Sequence, residues 1–180
     1  MAWRSVGGFT LVEVLVALFV LAVGVLGASA TQMAAQRARH QAALLSEAVQ
    51  LAATVSSRMR ANAHQMALGD GANPYLTLSY DAAEGAPAAP AVLCYGETGC
   101  DPAQLAAFDL YEAMQAVHDR FPGGRIVVCR DGTGWDGAAN TLTWDCEGGA
   151  GAPIMVKVGW HAGGDGAAGS APGVALVVPG

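Results

Sequence analysis

Gly7-Gly8-Phe9-Thr10-Leu11-Val12-Glu13 sets two small residues directly against an apolar run that carries one acid near its start. From residue 9 to residue 30 the only polar side chains are Thr10, Glu13 and Ser29, and residues 14–28 contain none. A run of that length crosses a bilayer as a helix. An ordinary secretory signal has a charged front, an apolar core and then a cleavage site, so that the core is lost on processing. Here the small-residue site comes first. A cut between Gly8 and Phe9 discards residues 1–8, with Arg4 as their only charge, and keeps the hydrophobic segment.

This string resembles the class III signal of type IV prepilins and their relatives. The resemblance implies that a dedicated prepilin peptidase cuts after Gly8, that Phe9 becomes a methylated N-terminus, and that Glu13 guides docking. The acid needs a physical reason, because a carboxylate in the hydrocarbon costs roughly 2.5–3.5 kcal/mol even on lenient insertion scales. In pilins the glutamate attracts the free amine of a neighbouring subunit's first residue and sets its register in the fibre. A low-dielectric groove strengthens such a pair, although desolvation cancels much of the gain. The plainer account is positional: at about 1.5 Å per residue, Glu13 lies near the helix start, within reach of the headgroups and the positive end of the helix dipole.

The 180 residues are 53% hydrophobic and 13% charged, which suits one membrane-anchored domain. A formal net charge of -6 argues against nucleic acid as a partner. The charge is uneven. Between residues 31 and 66, Arg37, Arg39, Arg58 and Arg60 face only Glu47, a net of +3; from residue 67 onward thirteen acids face Arg120, Arg125, Arg130 and Lys157, a net of -9. A basic stem below an acidic head favours attraction between packed subunits, while a solvated surface accounts for the same pattern.

Charge alone does not orient the anchor, since Arg4 precedes it and Arg37 and Arg39 follow it, an arrangement that favours the opposite topology if read naively. Cysteine usage is more telling. Cys94, Cys100, Cys129 and Cys146 all follow the anchor, as expected of two disulfides in an oxidising compartment. Of the three possible pairings, Cys94 with Cys100 and Cys129 with Cys146 is the simplest, each closing a local loop. No two cysteines have the close spacing of a structural zinc site.

Leu44, Ala48, Leu51, Val55, Met59 and Met66 recur at helical steps, and no proline appears before Pro74. One long helix from about residue 9 to residue 67 is expected, with Gly24 and Gly27 as sites of local melting or of small-residue packing. Residues 69–99 read as a turn-rich region with one short strand, Tyr75 to Tyr80. Asp101, Pro102 and Gln104 form a helix start, with a cap, proline at the first helical position and glutamine three residues after the cap. That second helix is expected to reach about Phe121, with Leu110, Met114, Val117 and Phe121 on its apolar face. Strands are expected over Arg125 to Arg130, Thr141 to Cys146 and Ile154 to Trp160, with Val174 to Val178 as an added edge. The third alternates Met155, Lys157 and Gly159 against Ile154, Val156, Val158 and Trp160, as a strand with one buried face does. The fold class is therefore α+β and pilin-like: a long N-terminal helix, transmembrane and then amphipathic, packed on a small antiparallel sheet. The segments are a leader over 1–8, a membrane helix over 9–30, its amphipathic continuation over 31–68 and a head over 69–180 with a flexible tail from about 162.

Within this class, several strings are similar to the PilV family of type IV pilus modification proteins, which are minor pilins. They are Ser57-Arg58-Met59-Arg60-Ala61-Asn62, Asp109-Leu110-Tyr111-Glu112, Pro122-Gly123-Gly124-Arg125-Ile126-Val127-Val128-Cys129-Arg130-Asp131 and Val156-Lys157-Val158-Gly159-Trp160. Gly159 departs from the family pattern, where a second aromatic is usual. The resemblance implies a non-enzymatic subunit that primes or modifies pilus assembly and has no cofactor. Its implied partners are other minor pilins, the major pilin, the prepilin peptidase, the inner-membrane assembly platform and the lipid bilayer. Its implied location is the inner membrane, single-pass with a periplasmic head, and then the surface fibre. A minor pseudopilin of type II secretion and a membrane-tethered adhesin are the alternatives.

No catalytic constellation emerges. Gly132-Thr133-Gly134-Trp135-Asp136-Gly137 matches a dinucleotide fingerprint formally, yet no helix follows, and it is read as a turn. Asp131 and Asp136 lack EF-hand spacing. His40 and His64, assigned to the long helix, and His118 and His161 are read as surface side chains.

Overall fold

The computed structural model describes residues 8, 10–96, 99–161 and 171–179. The leader residues 1–7, Phe9 and most of the expected tail lie outside them. The chain divides into two compact units, residues 1–42 and 43–180.

In the first unit, helix α1 (Leu11–Ala61) begins. Its large apolar side chains from Leu11 to Leu26 are exposed along the helix. Length and composition make it able to cross a membrane.

In the second unit the remainder of α1 packs against a four-stranded antiparallel sheet. Leu44, Ala48, Ala52, Val55 and Met59 are buried in one core with Tyr80, Ile126, Val128, Val156, Val158 and Val174. Ala48, Ala52 and Met59 have no exposed surface there. The helix stops at Ala61, six residues earlier than the expected Ala67. Asn62 leaves helical geometry with φ -95° and ψ 60°, and a four-residue helix α2 (Ala63–Met66), which holds His64, follows. The cause is lateral: the Asn62 amide donates to Tyr75 Oη at 3.2 Å and to the Pro102 carbonyl at 2.7 Å.

The expected strand over Tyr75 to Tyr80 gives way to a 3-10 turn, Pro74–Thr77, and a short strand β1 (Ser79–Asp81). Asn73 caps that turn by accepting from the Tyr75 N–H at 3.0 Å, and Pro74 begins it. Helix α3 (Pro102–Arg120) starts as the sequence predicts. Asp101 Oδ1 accepts from the N–H groups of Ala103 and Gln104, and the Asp101 N–H donates to Gln104 Oε1 at 3.1 Å, a complete capping box.

Strand β2 (Arg125–Arg130) pairs with β1 on one side and with β5 (Ile154–Gly159) on the other; β6 (Val174–Val177) is the outer strand beside β5. Ile126 opposite Val158 and Val128 opposite Val156 fill the face toward the helix. The expected strand over Thr141 to Cys146 is corrected. Only Thr141–Leu142 is extended, as β4, and it pairs with β3 (Trp135–Asp136) in a separate two-stranded ladder. The turn expected over 132–137 therefore yields to strand at Trp135. The Thr143 N–H still donates to the Gly134 carbonyl at 3.2 Å, and beyond it the chain leaves the hairpin, with the carbonyls of Thr143 and Asp145 accepting from Lys157 of the sheet beneath.

That hairpin belongs to a flap, residues 131–147, over the second face of the sheet. Lys157, expected on a solvated face, has no exposed side-chain area. Trp144 lies on Gly159: a β-carbon there would stand 2.7 Å from Trp144 Cζ2. Arg125, the register partner of Gly159, stacks on the same indole at 4.6 Å from the ring centre. The glycine that departs from the family pattern is thus the floor on which an aromatic from another segment rests.

Candidate functional site

The N-terminal segment is built locally. Gly8 is exposed, and Thr10 immediately precedes α1. The Glu13 N–H donates to the Thr10 carbonyl at 3.1 Å and lies 3.4 Å from its hydroxyl oxygen. Thr10 and Glu13 have the Ser/Thr-x-x-Glu spacing of a helix start. That signal was present in the sequence, and it places Glu13 in the first turn, where a negative charge meets the positive end of the helix dipole. Glu13 is solvent-facing, so its carboxylate is open to a partner. Phe9 lies outside the described residues.

In the second unit two polar clusters hold the head. In the first, Arg58 NH1 donates to Asp109 Oδ1 at 3.1 Å and to Glu112, while Tyr75 Oη donates to Asp109 Oδ2 at 2.7 Å and accepts from Asn62. α1, α3 and the 3-10 turn meet there. Burial raises the Tyr75 pKa well above its ordinary value, and the bond to Asp109 raises it further. Burial alone would lower the Arg58 pKa, but Glu112 and Asp109 more than offset it.

The second cluster centres on Lys157. Its Nζ donates to Asp131 Oδ2 at 2.5 Å, to the Thr143 carbonyl at 2.8 Å and to the Asp145 carbonyl at 2.5 Å, which uses all three ammonium hydrogens. Asp131 in turn accepts from the Thr133 N–H at 3.0 Å and the Gly134 N–H at 3.1 Å. Burial would raise the Asp131 carboxyl, but the bond from Lys157, those two backbone donors and the lysine charge hold it down at about 2. Such a pair is tolerable in a core only because every donor and acceptor has a partner.

Cys94 is bonded to Cys100 and Cys129 to Cys146, six and seventeen residues apart. The first loop carries Tyr95, whose ring meets Phe108 of α3 edge-on at 4.7 Å. The second ties the flap to β2. A cleft of about 420 Å³ runs between α1 and α3, lined in part by Glu47, Gln50, Thr54, Glu112 and Asp119, and its polar walls carry no nucleophile-and-base pair. Of the histidines, His40 and His64 are exposed as expected, but His118 and His161 are half-buried. His118 Nδ1 lies 3.0 Å from Tyr80 Oη, and the His161 ring occupies the space beside Gly123.

The sequence readings thus divide by region. Gly8 and Glu13 stand in the membrane unit, and the four cysteines staple the head. The sequence reading missed Lys157, Asp131 and Trp144 as a set, because what joins them is the flap crossing the sheet.

Residues 3–29 match the model of the prokaryotic N-terminal methylation motif. No curated protein and no solved structure matches the chain. The motif implies processing by prepilin peptidase and assembly with other pilins, which are structural proteins. Together with the apolar helix it implies membrane anchoring.

Proposed function

We propose that this type IV pilin-like chain is a minor pilin of the PilV type, which primes or modifies assembly of a type IV pilus. The observation that carries the reading is the methylation motif over residues 3–29, set on a helix that can span a membrane and continues into a sheet-packed head. Cleavage after Gly8 frees Phe9 as the new terminus. The head faces the periplasm, where the two disulfides are stable. Glu13, at the first turn of α1, offers its carboxylate to the terminal amine of a neighbouring subunit, and a low-dielectric membrane strengthens that attraction.

Support for the PilV type comes from the head. The strings that resemble that family supply Arg58, Asp109, Glu112, Arg130, Asp131 and Lys157, and among the described residues these make the head's ion pairs with the single addition of Asp70. The resemblance therefore includes residues that join elements of the head.

The test is the amount of major pilin in the sheared surface fraction of a strain lacking this chain, with and without the gene restored. A large fall that restoration reverses is the expected result. An unchanged amount with defective protein secretion assigns the chain to a type II secretion pseudopilus, and normal pilus numbers with lost surface attachment assign it to adhesion.

A further inference from the structure

We propose that the Cys129–Cys146 disulfide is the latch of a redox-operated flap: residues 131–147 cover Lys157 while the disulfide is closed, and its reduction uncovers that lysine. The inference concerns the head alone and stands apart from the pilus reading.

Apart from Trp144, seated on Gly159 beside Arg125, and the bonds to Lys157, the flap is held by backbone bonds at its base, Gly132 N–H to the Glu147 carbonyl at 2.6 Å and Asp131 N–H to the Pro153 carbonyl at 3.0 Å, and by a short hairpin of two residue pairs, Trp135 with Leu142 and Asp136 with Thr141, extended by the Thr143 N–H donating to the Gly134 carbonyl at 3.2 Å. A ladder that short has little stability of its own. The disulfide joins Cys129, within β2, to Cys146, next to the Asp145 whose carbonyl accepts from Lys157. Beside the Arg130–Asp131 peptide bond, it cross-links the far end of the flap to β2 at the place where the lysine shell is completed. Two of the three acceptors around Lys157 Nζ, the carbonyls of Thr143 and Asp145, come from the far end of the flap. Without them the ammonium keeps Asp131 alone and two hydrogens go unsatisfied. Burial of a charge in that state is costly, so the lysine must gain water, and the flap must lift to admit it.

The electron balance is that of thiol–disulfide exchange. Closing the latch releases a proton from each thiol and passes two electrons to an incoming disulfide, which leaves as two thiols; a dithiol reverses it. The head therefore completes its second layer only in an oxidising compartment, which couples closure of the flap to export.

Lys157 is the sequence's only lysine, so its acetylation is read without background from other side chains. The experiment uses the detergent-solubilised full chain and an acetylating ester, with peptide mass spectrometry of the Lys157 segment and far-ultraviolet circular dichroism. With both disulfides closed, Lys157 stays unmodified on the timescale that labels a short lysine-containing peptide added to the same sample. In the Cys129→Ser/Cys146→Ser variant its acetylation accelerates at least tenfold with the helical signal retained, while Cys94→Ser/Cys100→Ser leaves it protected. If the first variant fails to fold, native chain reduced after folding and alkylated at its thiols gives the same readout. Continued protection with Cys129 and Cys146 separated overturns the proposal, as does equal labelling with the latch closed. Labelling that coincides with loss of the helical signal also overturns it, since that is global unfolding.

Discussion

Lys157 Nζ lies 2.5 Å from Asp131 Oδ2, and neither side chain has any exposed surface. The pair sits on the sheet face that a strand with one buried side would leave to water. Removing one partner strands the other charge. Asp131→Asn or Lys157→Met is expected to cost roughly 3–5 kcal/mol each, and the double change less than their sum. Urea midpoints of the four proteins in detergent check this; additive losses would contradict the coupling.

The same pair sets a pH dependence. The folded Asp131 carboxyl is lowered to about 2 from its ordinary 3.8, so its stabilisation is complete above about pH 4 and is lost as pH falls toward 2. The shift corresponds to roughly 2–3 kcal/mol. Unfolding of the parent between pH 5 and pH 2 should show this loss, and Asp131→Asn should remove that part of the slope.

Gly159→Ala tests the packing of Trp144. The added β-carbon would stand 2.7 Å from the indole, so either the flap shifts or the strand bends. A loss of roughly 1–3 kcal/mol is expected. Combined with Trp144→Ala, the same change should cost less, because of the tight contacts only that with the Ala171 carbonyl oxygen, at 3.3 Å, remains. A thermal-unfolding double-mutant cycle with no coupling would rule out this account.

Tyr75→Phe removes the hydroxyl that donates to Asp109 and accepts from Asn62. Two buried polar groups lose a partner, and a loss of roughly 1–3 kcal/mol follows. Processing at Gly8 should be untouched, since the change is confined to the head. Thermal unfolding gives the first quantity, and the mass of the mature chain gives the second.

Glu13→Ala separates processing from docking. The variant is expected to be cleaved after Gly8 and to remain in the membrane, while its amount in sheared fibres falls at least tenfold. Incorporation at the parental level would remove Glu13 from the docking step.

Local signals were legible. The α3 cap needs only Asp101 to Gln104, four consecutive positions in which Asp101 bonds to Ala103 and Gln104 and Pro102 sets the first helical residue. β2 was legible from the apolar run Ile126 to Cys129, β5 from the alternation of Ile154, Val156, Val158 and Trp160 against Met155, Lys157 and Gly159, and the α1 face from Leu44 to Met59 as a helical repeat. Where the sequence reading failed, a distant residue intervened. The long helix breaks at Asn62 because its amide reaches Tyr75 and Pro102, thirteen and forty residues away. The strand expected through Cys146 ends at Leu142, and the carbonyls of Thr143 and Asp145 beyond it accept from Lys157.

By itself, the sequence determined the parts whose physics is local: an apolar helix led by a small-residue site and an acid, an amphipathic continuation, a capped second helix and the paired strands. Only the tertiary structure decided that the sheet is covered on both faces. A period of two shows which residues share a face, but whether that face meets water depends on what else the chain lays over it. Here residues 131–147 do so, with Trp144 resting on Gly159, Asp131 meeting Lys157 and Cys146 joined to Cys129.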